Sequence, residues 1–173
     1  MALATVYARA QAGIAAPLGR VEVDLAGGLP GMTIVGLPET AVKESRDRVR
    51  AAIRNSGYEF PRRRVTVNLA PADLPKEGGR FDLAIALGIL AASGQVDAKQ
   101  LADCEFLGEL SLSGKLRPVR GGLPAALAAA QQDRHLVVPA DNGPEAGLAG
   151  RERVYVAQHL TQVAAALIGG AQL

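Results

Sequence analysis

The segment Asp73-Leu74-Pro75-Lys76-Glu77-Gly78-Gly79-Arg80-Phe81-Asp82 gathers cations and carboxylates around a glycine pair, directly ahead of an apolar run from Leu83 to Leu90. Glycine turns that open helices can hold a phosphate, an oxyanion or a nucleophile, because unpaired N–H groups and the helix dipole converge there. They can equally be plain connections. Gly78-Gly79-Arg80 is too short to wrap a triphosphate, and Asp82 more simply complements the positive end of its helix. A second stretch, Gly108 to Leu116, superficially resembles a phosphate loop. It has one residue too many between Gly108 and Gly114, and Leu116 stands where a magnesium-binding Ser or Thr belongs. The chain by itself is therefore expected not to hydrolyse ATP.

Other reactive residue types are sparse. His135 and His159 lie far apart with no carboxylate at ligand spacing, so no metal site is expected. The single cysteine, Cys104, precedes Phe106 and Leu107 in what reads as a buried strand, and is expected to pack in the core. One cysteine cannot form an internal disulfide and suits a reducing compartment. The N-terminus MALATVYARAQAG lacks a charged region followed by an apolar one. No apolar run reaches the roughly 20 residues that a membrane helix requires. A cytoplasmic protein without a membrane partner is expected.

Charge is unevenly distributed. The net charge is only +2, yet between Lys43 and Arg64 eight basic residues face three acids. Such a patch points to an anionic partner at one surface. At 100° per residue, Lys43, Arg50 and Arg54 form a stripe beside the apolar side of one helix, with Arg46 at its edge, whereas Arg48 can pair with Glu44. Arg62, Arg63 and Arg64 follow at the entrance to a strand, where alternation sends Arg63 to the side opposite the other two. Phosphate contact by this set would be independent of base sequence. With 3% aromatic residues and no Trp, base-stacking platforms are not expected.

The elements that must position these groups follow from periodicity. Strands are expected over 4–10, 18–25 and 32–35, with Ala26 to Gly31 as a turn. A helix from Pro38 to about Ser56 carries Val42, Val49 and Ile53 on one side, and Gly57 ends it. Arg64 to Leu69 reads as a β-branched strand, and Phe81 to Ala92 as a buried helix, apolar nearly all round. Glu105–Leu110 and Lys115–Val119 suggest a hairpin around Ser113-Gly114, and Gly121-Gly122 opens an alanine-rich helix to about Asp133. Strands at 135–138 and 153–157, a short helix after Asp141 and a final helix from Thr161 complete the pattern. The expected class is α/β, a mixed β-sheet with packed α-helices in one domain spanning 1–173.

Three segments, GLPGMTIVGLPETAVKESRDRVRAAIRNSG (28–57), RRVTVNLAPADLPKEGGRFDLAIALGILAASG (63–94) and FLGELSLSGKLRPVRGG (106–122), closely resemble the N-terminal domain of the ComM family of bacterial Mg-chelatase-like AAA+ proteins. The resemblance implies a Lon-protease-like domain. In the family it precedes an AAA+ ATPase module, which is absent from this chain and for which ATP and Mg are expected as cofactors. It further implies a homo-oligomeric, hexameric parent that drives branch migration of recombining DNA in natural transformation. The AAA+ module and DNA, single-stranded or branched, are the implied partners. The final stretch from Ile168 to Leu173 ends abruptly after a helix, as a cloned fragment would.

In Lon proteases this glycine turn carries the catalytic serine. The matching position here is Arg80, and the partner lysine's position falls on Leu123 or Pro124. Neither can accept a proton from a serine, so no catalytic residue is expected. A rearranged site built on Lys76 and Ser111 is the remaining peptidase alternative. Arg80 would then pin a carboxylate or meet a phosphate, which adds it to a nucleic-acid set of Lys43, Arg46, Arg50, Arg54, Arg62, Arg63 and Arg64. The competing reading gives these arginines to a subunit interface, the domain being a scaffold that positions the ATPase.

Overall fold

Val21, Val23 and Leu25 are buried while Glu22 and Asp24 between them are not, the period of two that lays one side of a strand on a core. The same logic builds a seven-stranded sheet in the computed structural model, which describes residues 2–73, 75–76 and 79–168. Its strands are β1 (Ala2–Arg9), β2 (Leu18–Ala26), β3 (Gly31–Val35), β4 (Arg64–Ala70), β5 (Cys104–Phe106), β8 (His135–Pro139) and β9 (Val154–Ala157). A separate two-stranded ribbon holds β6 (Glu109–Leu110) and β7 (Leu116–Arg117). The sheet order is β3-β4-β2-β1-β5-β8-β9. Only β2 runs antiparallel to its neighbours, β1 and β4; the other pairings are parallel.

The predicted hairpin is corrected in part. Its first strand splits: Cys104–Phe106 joins the main sheet between β1 and β8, and only Glu109–Leu110 pairs with Leu116–Arg117. The break falls where the N–H of Gly108 turns to the carbonyl of Arg80 at 3.2 Å. A Cβ at Gly108 would stand 3.0 Å from a Leu116 methyl, so a bare glycine suits this bend.

Helices α1 (Glu39–Asn55) and α2 (Asp82–Ala92) cover one side of β1–β4. α1 starts after Pro38, carries Glu39 in its first turn and buries Ser45, Val49, Ala52 and Ile53. α2 is enclosed almost completely, as its unbroken apolar sequence dictates. It lies close enough to β2 that a Cβ at Gly88 would come within 2.5 Å of Val23 Cγ2. The opposite side of these strands is open: Leu3 is 65% exposed, and Asn68 donates to Glu22 across it at 2.9 Å.

The other half of the sheet is wrapped on both sides. Val137 faces the main core, whereas its neighbours Leu136 and Val138 face a second, alanine-rich cluster. That cluster is formed with α3 (Gly122–Gln131) and α4 (Gly143–Ala146). On the main-core side α5 (Leu160–Ile168) contributes Leu160, Val163, Ala164 and Leu167. No helix among the described residues is long and apolar enough to cross a membrane.

Candidate functional site

Two regions collect the charged residues singled out above. The first is a cleft of about 290 Å³ between the turn before α2 and the segment Pro118–Arg120. Glu77 and Gly78, the expected entry to that turn, lie outside the described residues, as do Leu74 and the stretch after Ile168. Gly79 is hemmed in: a Cβ there would stand 2.6 Å from Glu109 Cγ, 2.8 Å from Arg48 Nη2 and 2.9 Å from Asp82 Oδ2.

Asp82 does more than complement a helix end. Its carboxylate accepts from Ser45 Oγ at 2.7 Å, Arg48 Nε at 2.7 Å and the N–H of Leu110 at 3.2 Å. It thus ties α1, α2 and β6 together. Burial pushes its carboxyl up from the ordinary carboxylate value, against the opposing pull of Arg48, Ser45 and Leu110. Arg48 also reaches Glu44 at 3.7 Å, the expected i,i+4 pair, but Asp82 is the nearer partner.

Arg80 lies inside the fold. It is 4% exposed, and its guanidinium donates to the carbonyls of Arg9 and Arg120, each at 2.8 Å. It therefore lines the cleft from within and leaves little of itself at the surface. Arg9 beside it is equally buried and makes a bidentate pair with Glu105 at 2.6 and 2.8 Å, which Arg134 joins at 2.9 Å. Sequence reasoning missed this ionic core. The available signal was Glu105, a carboxylate inside an otherwise apolar strand.

The other candidate nucleophiles and bases are engaged structurally. Lys76 donates to the carbonyls of Pro71 and Ala72 at 2.9 and 3.3 Å. Ser111 Oγ meets Ser113 Oγ at 2.9 Å and accepts from the N–H of Lys115 at 3.0 Å. His159 Nε2 lies 2.9 Å from the carbonyl of Ser113, and His135 packs against Tyr155 with ring centroids 5.5 Å apart. Leu123 and Pro124 form the first turn of α3. Cys104 packs against the main core, and burial pushes its thiol up, away from a reactive thiolate.

The second region lies where α1 meets the start of β3. Arg46 and Arg50, one helical turn apart, and Arg64 from the start of β4 line a hollow of about 380 Å³ floored by Gly31–Thr33. Arg46 reaches only the carbonyl of Met32, at 3.4 Å, and Arg50 Nε is buried with no acceptor among the described residues. Arg50 and Arg54 both stack on Phe60, 5.2 and 5.8 Å from its centroid. Among the described residues Asp47 is the one acid on the rim. Lys43 stands on the far side of Asp47, in a shallower depression with Glu39 and Glu44. Arg62 and Arg63 precede β4 and are exposed together with Arg64, so the predicted alternation across a strand does not apply to them.

The seven-stranded mixed sheet with packed helices is an α/β fold of the Lon-protease-like class expected from the sequence. Residues 21–142 match the family described as subunit ChlI of Mg-chelatase, and the chain belongs to that family. It is 54% identical over 173 residues to Competence protein ComM of Haemophilus influenzae, covering 100% of this chain and 34% of that protein. It is 53% identical over 169 residues to Uncharacterized protein YifB of Salmonella typhimurium, covering 98% of this chain and 33% of that one. A more distant similarity, 28% identity over 125 residues, connects it to the Lon protease of Trichlorobacter lovleyi, covering 68% of this chain and 15% of the protease. The chain thus spans about a third of the length of the first two relatives.

Proposed function

We propose that this chain is the non-catalytic Lon-like domain of a ComM-like AAA+ DNA motor, contributing DNA engagement and ring assembly. The full protein is then a cytoplasmic, hexameric ATPase using ATP and Mg, and it promotes branch migration during natural transformation. The observation that carries the DNA reading is the hollow of Arg46, Arg50 and Arg64, in which none of the three makes an ion pair among the described residues. Guanidiniums left without carboxylates at a surface are disposed to meet phosphates. Non-catalysis is supported by Arg80 lining the cleft and by the structural engagement of Lys76 and Ser111.

Fluorescence anisotropy on single-stranded, duplex and forked DNA at two salt concentrations tests this reading. Binding that weakens steeply with salt and is lost when Arg50, Arg54, Arg62, Arg63 and Arg64 become Ser is expected. No binding at low salt would sink it. A protein-interaction scaffold is the second reading, favoured by Leu29, 83% exposed in the lining of the hollow, and by Val35, 51% exposed at the other end of β3. Under that reading the domain itself binds no DNA, and the variant instead loses association with the ATPase module.

A further inference from the structure

The basic residues around α1 are not equivalent. Arg54, Arg62 and Arg63 are exposed, whereas Arg46 and Arg50 are half-buried and share one walled hollow with Arg64. Three guanidiniums against the single carboxylate of Asp47 leave that hollow strongly electropositive. Like charges brought together this way repel unless an anion sits among them. The wall is main chain: β3 is an edge strand, paired only with β4, so alternate peptide N–H groups on its other side lack a sheet partner. Arg50 is held in place by Phe60, yet its Nε has no acceptor among the described residues.

We propose that the hollow between α1 and β3 is a discrete seat for one phosphate group, gripped by Arg46, Arg50 and Arg64. This rests on the nucleic-acid reading above for the source of that phosphate, a strand backbone, and makes the surrounding charges secondary. Phosphate suits the geometry better than carboxylate does. A tetrahedral group offers oxygens in several directions to three separate planar forks, whereas a carboxylate offers only two oxygens, both in one plane. A seated phosphate also gives the strand a fixed register, which a diffuse basic surface cannot supply.

The test titrates inorganic phosphate into the ¹⁵N-labelled chain and reads the backbone amides of Gly31–Thr33 and the Nε–H resonances of Arg46 and Arg50. Saturable shifts are expected, unchanged in Arg62→Gln/Arg63→Gln but weakened at least about tenfold in Arg46→Gln/Arg64→Gln, which removes two charged contacts where the loss of one would already give about that cut. Circular dichroism and a urea melt establish that both variants fold. In parallel, a single-stranded oligonucleotide is bound across a salt series. The seat variant should lower the slope of log K against log salt by about 0.7, the share of one phosphate.

If DNA binds but its slope ignores the seat pair, the seat is wrong and the nucleic-acid reading stands. If phosphate saturates the hollow while DNA neither binds nor competes, the seat stands for a free phosphate and the nucleic-acid reading falls. Absence of saturable shifts overturns the seat, as does a glutamate-rich peptide that displaces phosphate from it.

Discussion

The cleft beside α2 and the hollow beside α1 are both built on arginine, and they use it in opposite ways. Arg80 in the cleft and Arg9 beside it are 4% and 3% exposed, and each bonds a main-chain carbonyl. In the hollow, Arg46, Arg50 and Arg64 open to solvent without an ion pair among the described residues. A count of basic residues cannot separate the two roles; burial and partners do. A cation in the interior holds segments together, and a cation left unpaired at a surface is available for recognition.

The largest way to break this contrast is to remove a buried partner. Glu105→Ala should cost about 3–5 kcal/mol in urea unfolding, because it strands Arg9 and Arg134. A loss below about 1 kcal/mol would mean that water reaches Arg9. Next, Arg80→Met removes the donors to Arg9 and Arg120 and should cost about 1–3 kcal/mol with DNA affinity unchanged. A fall in affinity without a fall in stability would return Arg80 to the nucleic-acid surface.

Gly88→Ala sharpens the packing side of the comparison. Its new methyl group meets Val23 in a closed core, so a loss of about 1–3 kcal/mol is expected by the same assay. The smallest effect belongs to the periphery. Arg62→Gln/Arg63→Gln should stay within about 0.5 kcal/mol of the parent in stability, with any change confined to salt-dependent DNA binding.

Much of the fold was legible. Alternation in Val21, Val23 and Leu25 marked β2, and the uniformly apolar run after Asp82 marked the enclosed helix α2. These signals are local, set by which side of one element is dry. The split of the expected hairpin was not legible, because it depends on Gly108 meeting the carbonyl of Arg80 from another part of the chain. For the same reason the stripe of helical cations could be drawn, but not the bond from Arg48 to Asp82 across 34 residues or from Arg9 to Glu105 across 96. The sequence position of Arg80 identifies the cleft without revealing that the side chain is buried against the carbonyls of Arg9 and Arg120.

The ladder between β3 and β4 runs over five register pairs, from Gly31 with Arg64 to Val35 with Asn68. A mechanical load applied to β3 along its own axis is shared by all those bonds at once, as in a lap joint under shear. The same load applied across the sheet opens them one after another from an end, as in peeling tape. An edge strand that borders an anchoring point is therefore strong in one direction and weak in the other. A pull transmitted through β3 meets firm resistance only when it runs parallel to the strands.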